Sequence, residues 1–115
     1  MPTSRFAVEL TKGAEKDLQT LAKKNPLAHA EAVVALAKLE TDPQAGHALA
    51  GSLKACRALE FSVAGSGQYR AVYIVVVPEP ACLVFIIGSH ENIYREAEKR
   101  ARAVLRRARA RSRRR

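Results

Sequence analysis

The chain has 115 residues, 48% of them hydrophobic, which fits one small domain with a single core and excludes a disordered chain. Its formal net charge of +9 is contributed by residues 100–115, which hold nine Arg and no acidic residue, so polyanions are natural partners of that end. The longest apolar runs, residues 71–77 and 81–87, are too short to span a bilayer, so we expect no membrane partner, and no signal peptide is visible at the start.

The first half of the chain predicts one strand and two helices. Residues 5–10 alternate between apolar and polar positions, which is typical of a half-buried strand. Thr11 is a good N-cap for a helix over residues 12–24, and Asn25 with Pro26 starts a second helix that runs to about residue 40. The predicted buried stripe of this second helix is Leu27, Ala30, Val34 and Ala37, widened by Val33, Leu36 and Leu39.

The second half predicts three consecutive strands and a closing helix. Strand-like alternation over residues 55–63 follows a loop, and apolar runs over residues 69–77 and 81–87 favour central strands of a meander. Ser89 is the predicted cap of the closing helix. Its predicted buried stripe is Ile93, Ala97, Val104 and Ala108.

The element order is therefore β-α-α-β-β-β-α, which predicts an α+β domain with a curved antiparallel sheet flanked by helices. We assign residues 1–105 to this single domain and residues 106–115 to an Arg-rich C-terminal tail. Cys56 and Cys82 lie in apolar runs, so we expect buried thiols and a cytoplasmic protein. The sequence shows no metal-ligand spacing of His, Cys, Asp and Glu, so we predict neither a metal nor a cofactor.

Several fragments, in this order and spacing, resemble the RelE/ParE family of toxins from type II toxin–antitoxin systems. These fragments are residues 10–18, 42–43, 49–53, 69–73 and 88–94. The resemblance extends from residue 6 to about residue 105 and implies a RelE-like fold and a cognate antitoxin as partner. RelE-like members cut messenger RNA in the ribosomal A site, whereas ParE-like members poison DNA gyrase.

The resemblance leaves three functions open. The first is a ribosome-dependent, metal-free mRNA endoribonuclease, an enzyme that inhibits translation and has the ribosome and mRNA as partners. The second is a gyrase inhibitor without nuclease activity, with DNA gyrase as partner. The third is a member that is not toxic and keeps only antitoxin binding. Likeness of fold does not choose among them.

Arg70 is the first candidate catalytic residue. It follows a Gly-rich turn and begins a strand, which places a guanidinium at the rim of the sheet. The family pattern has an Arg after Tyr at this point, where it clamps the scissile phosphate, and a planar fork suits that task better than Lys. The alternative is a surface Arg that binds carbonyl groups of the hairpin.

His90 and Tyr94 are the other candidate catalytic residues. Tyr94 matches the Tyr of the last helix that, in RelE-like enzymes, stacks on or deprotonates the substrate; the alternative is a core Tyr. The family commonly has Arg near His90, and an imidazole can act as a general acid near neutral pH. The alternative is an ordinary His at a helix start. We expect all three groups to converge on one patch.

Lys54, Arg57 and Arg95 are the candidate RNA-binding residues. Arg57 falls where RelE-like members keep a Lys or Arg on the strand that faces RNA. Glu60 points to the opposite face from Arg57 in a regular strand. We therefore expect it to pair with a neighbouring cation and to act as a general base only if a bulge redirects it.

Overall fold

The computed structural model describes residues 6–77, 80–89 and 93–113, with the side chains of the last helix described to residue 110. The described helices are α1 (Lys12–Lys24), α2 (Pro26–Lys38) and α3 (Ile93–Arg113). The described strands are β1 (Ala7–Leu10), β2 (His47–Ala48), β3 (Arg57–Val63), β4 (Gly67–Val76) and β5 (Ala81–Ser89). Every predicted element is present and the α+β class is confirmed; β2 is an addition within the predicted loop.

The strands form one sheet in the order β1-β5-β4-β3-β2. β3, β4 and β5 make the predicted antiparallel meander. β1 instead pairs in parallel with β5, from Ala7 opposite Ala81 to Leu10 opposite Val84, so the sheet is mixed. Alternation along a strand marks the strand but carries no information about the direction of a partner distant in sequence.

α1 and α2 lie on one face of the sheet, and both predicted caps are confirmed. The Thr11 hydroxyl accepts the Ala14 N–H at 3.2 Å, and the Asn25 side-chain oxygen accepts the Ala28 N–H at 3.2 Å. Asn25 ends α1 and caps α2, so the two helices turn back on each other through one residue.

The predicted buried stripe of α2 is wrong except for Leu36 and Leu39. Leu27 and Val34 are 47% and 63% exposed, and Ala30 and Ala37 are also exposed. The residues that face the sheet are Ala28, Ala32, Ala35, Leu36 and Leu39. Both sides of α2 are apolar, so periodicity alone does not choose between them, and the alanine face allows the closer approach to the sheet.

α3 covers the other face of the sheet. Its predicted stripe is confirmed, since Ile93, Ala97, Val104 and Ala108 are buried together with Ala101. Ser89, the predicted cap of this helix, is the last residue of β5 and pairs with Tyr69; the start of the helix after it lies outside the described residues, so the capping role stays a prediction. In the described part of the chain, the helices lack an apolar stretch long enough to cross a membrane.

β5 continues past the end of β1, and two charged side chains cover the edge that this exposes. Asp17 of α1 accepts the Ile87 N–H at 3.0 Å, and Arg100 of α3 donates to the Phe85 carbonyl at 2.9 Å. The two side chains also form an ion pair at 2.9 Å. They satisfy backbone groups that an additional strand would otherwise bind, and they hold the end of β5 between α1 and α3.

Candidate functional site

Arg70 and Glu60 meet at the rim of the sheet because of the register of the β3–β4 hairpin. Its turn uses positive φ angles of 78° at Gly65 and 84° at Gly67, which favour glycine. Val63 therefore pairs with Gly67, and Glu60 with Arg70. Directly opposite residues share one face of the sheet. Arg70 Nε donates to Glu60 Oε2 at 2.9 Å, and Arg70 Nη2 donates to the same oxygen.

Tyr94, in the first turn of α3, completes this group, which we call the rim cluster: Glu60, Arg70 and Tyr94. The Arg70 Cζ atom lies 5.2 Å from the centroid of the Tyr94 ring, within the range of a cation–π contact. Tyr94 is half-buried and packs against the core beneath α3. It thus anchors the helix and also contacts the predicted phosphate clamp.

The electrostatics of the rim cluster favour a protonated phenol. Burial raises the pKa of Tyr94 above its ordinary value; the positive charge of Arg70 opposes this shift and the negative charge of Glu60 adds to it. At neutral pH the Tyr94 hydroxyl therefore carries its proton. The Arg70 side chain is only 12% exposed, whereas that of Glu60 is 40% exposed, so the carboxylate is the more accessible member of the ion pair.

The other predicted residues are distributed around the rim cluster. His90 lies outside the described residues, so its predicted proximity to Arg70 stays a prediction. Arg95 follows Tyr94 in α3 and is exposed, and Lys54 is exposed in the turn before β3. Their predicted contact with RNA also stays a prediction, and both side chains are open to solvent.

Arg57 lies on the opposite face of the sheet from the rim cluster. Arg57 Nε donates to the Gly46 carbonyl at 2.9 Å, and Arg57 Nη2 donates to the Gln44 carbonyl at 3.3 Å. Beside it, the buried Tyr73 hydroxyl accepts the Gly46 N–H at 3.0 Å and donates to the Pro43 carbonyl at 2.6 Å. The structure therefore does not bring Arg57 together with Arg70, and its side chain organises the loop that precedes β2.

The predicted pairing of Glu60 with a neighbouring cation is confirmed, and that cation is Arg70. No bulge is needed to direct it toward Arg70, because the two residues are direct partners on neighbouring strands. The hairpin itself contained the signal: a short turn centred on Gly65 pairs residues at equal distances on either side of it. Counting five residues in each direction from Gly65 reaches Glu60 and Arg70.

Other candidate sites in the described residues have fewer side chains suited to catalysis. A cavity of about 760 Å³ lies between the start of α1 and the middle of α3, away from the rim cluster. Cys56 and Cys82 are buried as predicted, and burial raises the pKa of each thiol to about 11. Within residues 6–77, 80–89 and 93–110, we find no group of three His, Cys, Asp or Glu side chains that could hold a metal ion.

Solved structures of bacterial toxins share this fold. The Escherichia coli toxin RelE, as a mutant in the free state, has a TM-score of 0.61 and 22% identity, covering 84% of this chain and 97% of that one. The toxin–antitoxin complex RelBE2 from Mycobacterium tuberculosis has a TM-score of 0.60 and 24% identity, covering 75% and 99%. The YoeB/ParE toxin from Agrobacterium tumefaciens has a TM-score of 0.63 and 15% identity, covering 74% and 99%.

No family model and no curated protein matches the sequence. At these low identities the structural likeness shows the fold, so the chain has a RelE-like fold. This confirms the fold that the sequence fragments implied. The chemistry of this chain must be argued from its own residues.

Proposed function

We propose that this chain is the toxin of a type II toxin–antitoxin pair and that it cleaves messenger RNA on the ribosome. The observation that carries the proposal is the rim cluster, which holds a guanidinium, a carboxylate and a phenol in contact on a RelE-like fold. One solved neighbour is a toxin–antitoxin complex, which supports an antitoxin as the partner of this chain.

The rim cluster fits a cleavage that needs only acid, base and a cation. The 2′-oxygen of a nucleotide forms a bond to the adjacent phosphorus, and the bond from phosphorus to the 5′-oxygen breaks. Glu60 accepts the 2′-proton, and Tyr94 donates a proton to the leaving 5′-oxygen. Arg70 stabilises the charge that develops on the phosphoryl oxygens. The products are a 2′,3′-cyclic phosphate and a 5′-hydroxyl.

We assign Tyr94 the role of an acid rather than the base that the family resemblance implied. Its phenol keeps its proton at neutral pH, as phenols ordinarily do, and burial raises its pKa further, so it can donate a proton but not abstract one. Glu60 is then the available base among the described members of the cluster, since its carboxylate is 40% exposed. His90, if it lies close by, can share the role of the acid.

The alternative is a gyrase inhibitor that makes no covalent change in RNA. One observation favours it: Glu60 already binds Arg70, so a substrate phosphate must compete with a carboxylate for the guanidinium. A surface that only binds a protein does not require that exchange. A third outcome, retention of antitoxin binding without toxicity, predicts no growth arrest.

The deciding experiment expresses the protein in bacterial cells and maps message cleavage by primer extension. Loss of the phosphate contact in Arg70→Gln is expected to reduce cleavage by about 10²- to 10³-fold. Loss of the base in Glu60→Gln is expected to reduce it by about 10²- to 10⁴-fold. Tyr94→Phe keeps the ring against Arg70 and removes only the proton, so a cleavage defect in this variant supports the acid role.

Lys38→Gln is the matched control, because Lys38 is an exposed cation on α2, on the other side of the sheet. It should cleave like the unaltered protein. Full cleavage by Arg70→Gln would remove the rim cluster from the mechanism. Growth arrest with intact messages and accumulated gyrase–DNA complexes would select the gyrase alternative.

A further inference from the structure

The outer face of α3 carries a row of cations that begins beside the rim cluster. We call it the α3 ridge: Arg95, Lys99, Arg102, Arg106 and Arg109. The spacing alternates between four and three residues, which keeps the side chains on one face of a helix. At a rise of about 1.5 Å per residue the ridge is about 21 Å long. All five side chains are exposed.

These cations are not used by the fold. Among the described residues, no hydrogen bond or ion pair engages any of the five side chains. The carboxylates of α3 are directed elsewhere: Glu96 binds Arg100 at 3.2 Å, and Glu98 accepts the Ser52 hydroxyl at 2.7 Å. By contrast, Arg57 and Arg100 both have partners in the fold.

A concentration of unpaired positive charge along one face indicates a polyanionic ligand. Arg102, Arg106 and Arg109, together with Ala110, line a hollow of about 340 Å³, so the guanidinium groups flank a space that an anionic group can enter. A membrane surface is disfavoured, because membrane-bound helices need an exposed apolar face and the apolar face of α3 is buried on the sheet.

We propose that the α3 ridge binds the phosphate backbone of RNA that extends from the rim cluster. RNA is favoured over an acidic protein because Arg95 adjoins Tyr94, so a strand placed at Arg70 can continue along α3. The choice of RNA rests on the proposed function, whereas the ridge rests on its own geometry. Contacts of this kind carry little sequence information and supply affinity that depends on salt.

The salt dependence gives the expected size of the effect. Each phosphate contact with a single strand contributes about 0.7 to the slope of log K against log salt concentration. Five contacts therefore predict a loss of affinity of about 10²-fold between 50 and 200 mM salt. With Arg102, Arg106 and Arg109 all replaced by Gln, the predicted loss is only about sevenfold.

The test measures fluorescence anisotropy of a labelled 2′-O-methyl RNA 20-mer over that salt range. This RNA lacks the attacking hydroxyl, so the result does not depend on cleavage. The control variant replaces Lys16, Lys23 and Lys24 of α1 with Gln; it loses the same charge from exposed positions on the opposite face. The control should keep the slope of the unaltered protein, and the ridge variant should lose about 2 units of slope.

A second ridge variant, with Arg95 and Lys99 replaced by Gln, tests the end beside the rim cluster and should lose about 1.4 units. Circular dichroism and urea unfolding verify that both ridge variants fold. Equal slopes for the ridge and control variants would overturn the ridge as a binding surface. Competition by poly-glutamate as effective as by RNA of equal charge would overturn RNA as the ligand and indicate an acidic protein.

Discussion

Removing Asp17 is expected to destabilise the protein more than the change of one half-buried side chain suggests. Asp17→Ala leaves the Ile87 N–H without its acceptor, at a cost of about 1–3 kcal/mol, and removes a charged hydrogen bond to Arg100 worth about 1.5–3 kcal/mol. The two side chains are 19% and 27% exposed, so water replaces part of each loss. With a value from the lower half of each range, the two losses together reduce the free energy of unfolding by about 3 kcal/mol.

Urea unfolding followed by circular dichroism measures this cost. With a dependence on urea of about 1.5 kcal/mol per molar, the midpoint should fall by about 2 M. Asp17→Asn keeps an acceptor for the Ile87 N–H and loses only the charge, so its cost should be intermediate. Glu96→Gln is the control, because Glu96 also binds Arg100 but is 46% exposed, and an exposed pair of this kind contributes about 0.5 kcal/mol or less.

A double-mutant cycle with Arg100→Met isolates the interaction between the two side chains. We expect a coupling energy of about 1–2 kcal/mol with Asp17 and almost none with Glu96. Hydrogen exchange at the Ile87 amide should accelerate in Asp17→Ala beyond the global change in stability. Equal costs for Asp17→Ala and Glu96→Gln would refute the argument that Asp17 closes the edge of β5.

Further predictions concern packing, thiol accessibility and pH. Gly46→Ala should cost about 1–3 kcal/mol in urea unfolding, because its Cβ would lie 2.7 Å from the Ala58 carbonyl oxygen; Gly88→Ala, whose Cβ would make an ordinary contact of 3.9 Å with Ile93 Cδ1, should fold normally. Cys56 and Cys82 should not react with a thiol reagent at pH 8 until urea unfolds the chain. Because their pKa values rise from 9.0 to about 11 on folding, the contribution of the two thiols to the free energy of unfolding should be constant below pH 9 and fall as pH rises to 11. A variant with both cysteines replaced by Ala should show a smaller fall; an equal fall would contradict this explanation.

The sequence predicted what is decided locally. Thr11 and Asn25 cap their helices in the structure as in the prediction, because a cap is a contact between residues only a few positions apart. The orientation of α2 could not be predicted in this way. Leu27 and Val34 suggest a core face as strongly as Leu36 does, and only packing against the sheet selects the alanine side. The parallel pairing of β1 likewise depends on contacts with residues more than seventy positions away.

The residues of the candidate site also differ in how far local sequence could place them. Arg70 and Tyr94 were chosen from their positions at element ends together with the family resemblance, and the structure brings them into contact. Arg57 was assigned from the family resemblance, and Glu60 was placed opposite it by alternation along β3, which separates the two faces correctly but does not say which face meets α3. The register of the hairpin decides that question. It assigns Glu60 to the face of Arg70, and Arg57 to the face of the helical hairpin.

Arg70 and the cations of the α3 ridge are expected to affect different kinetic constants. Arg70 is held by Glu60 before RNA arrives, so its contact with phosphate strengthens fully only when Glu60 accepts a proton and loses its negative charge. Such a contact favours the transition state and therefore acts on kcat. The cations of the α3 ridge bind substrate and transition state equally, so they act on KM. Replacing Arg102, Arg106 and Arg109 should therefore raise KM for ribosome-bound message with kcat nearly unchanged, whereas Arg70→Gln should lower kcat. A loss of kcat in the ridge variant would mean that α3 positions Tyr94 through these arginines rather than binding RNA with them.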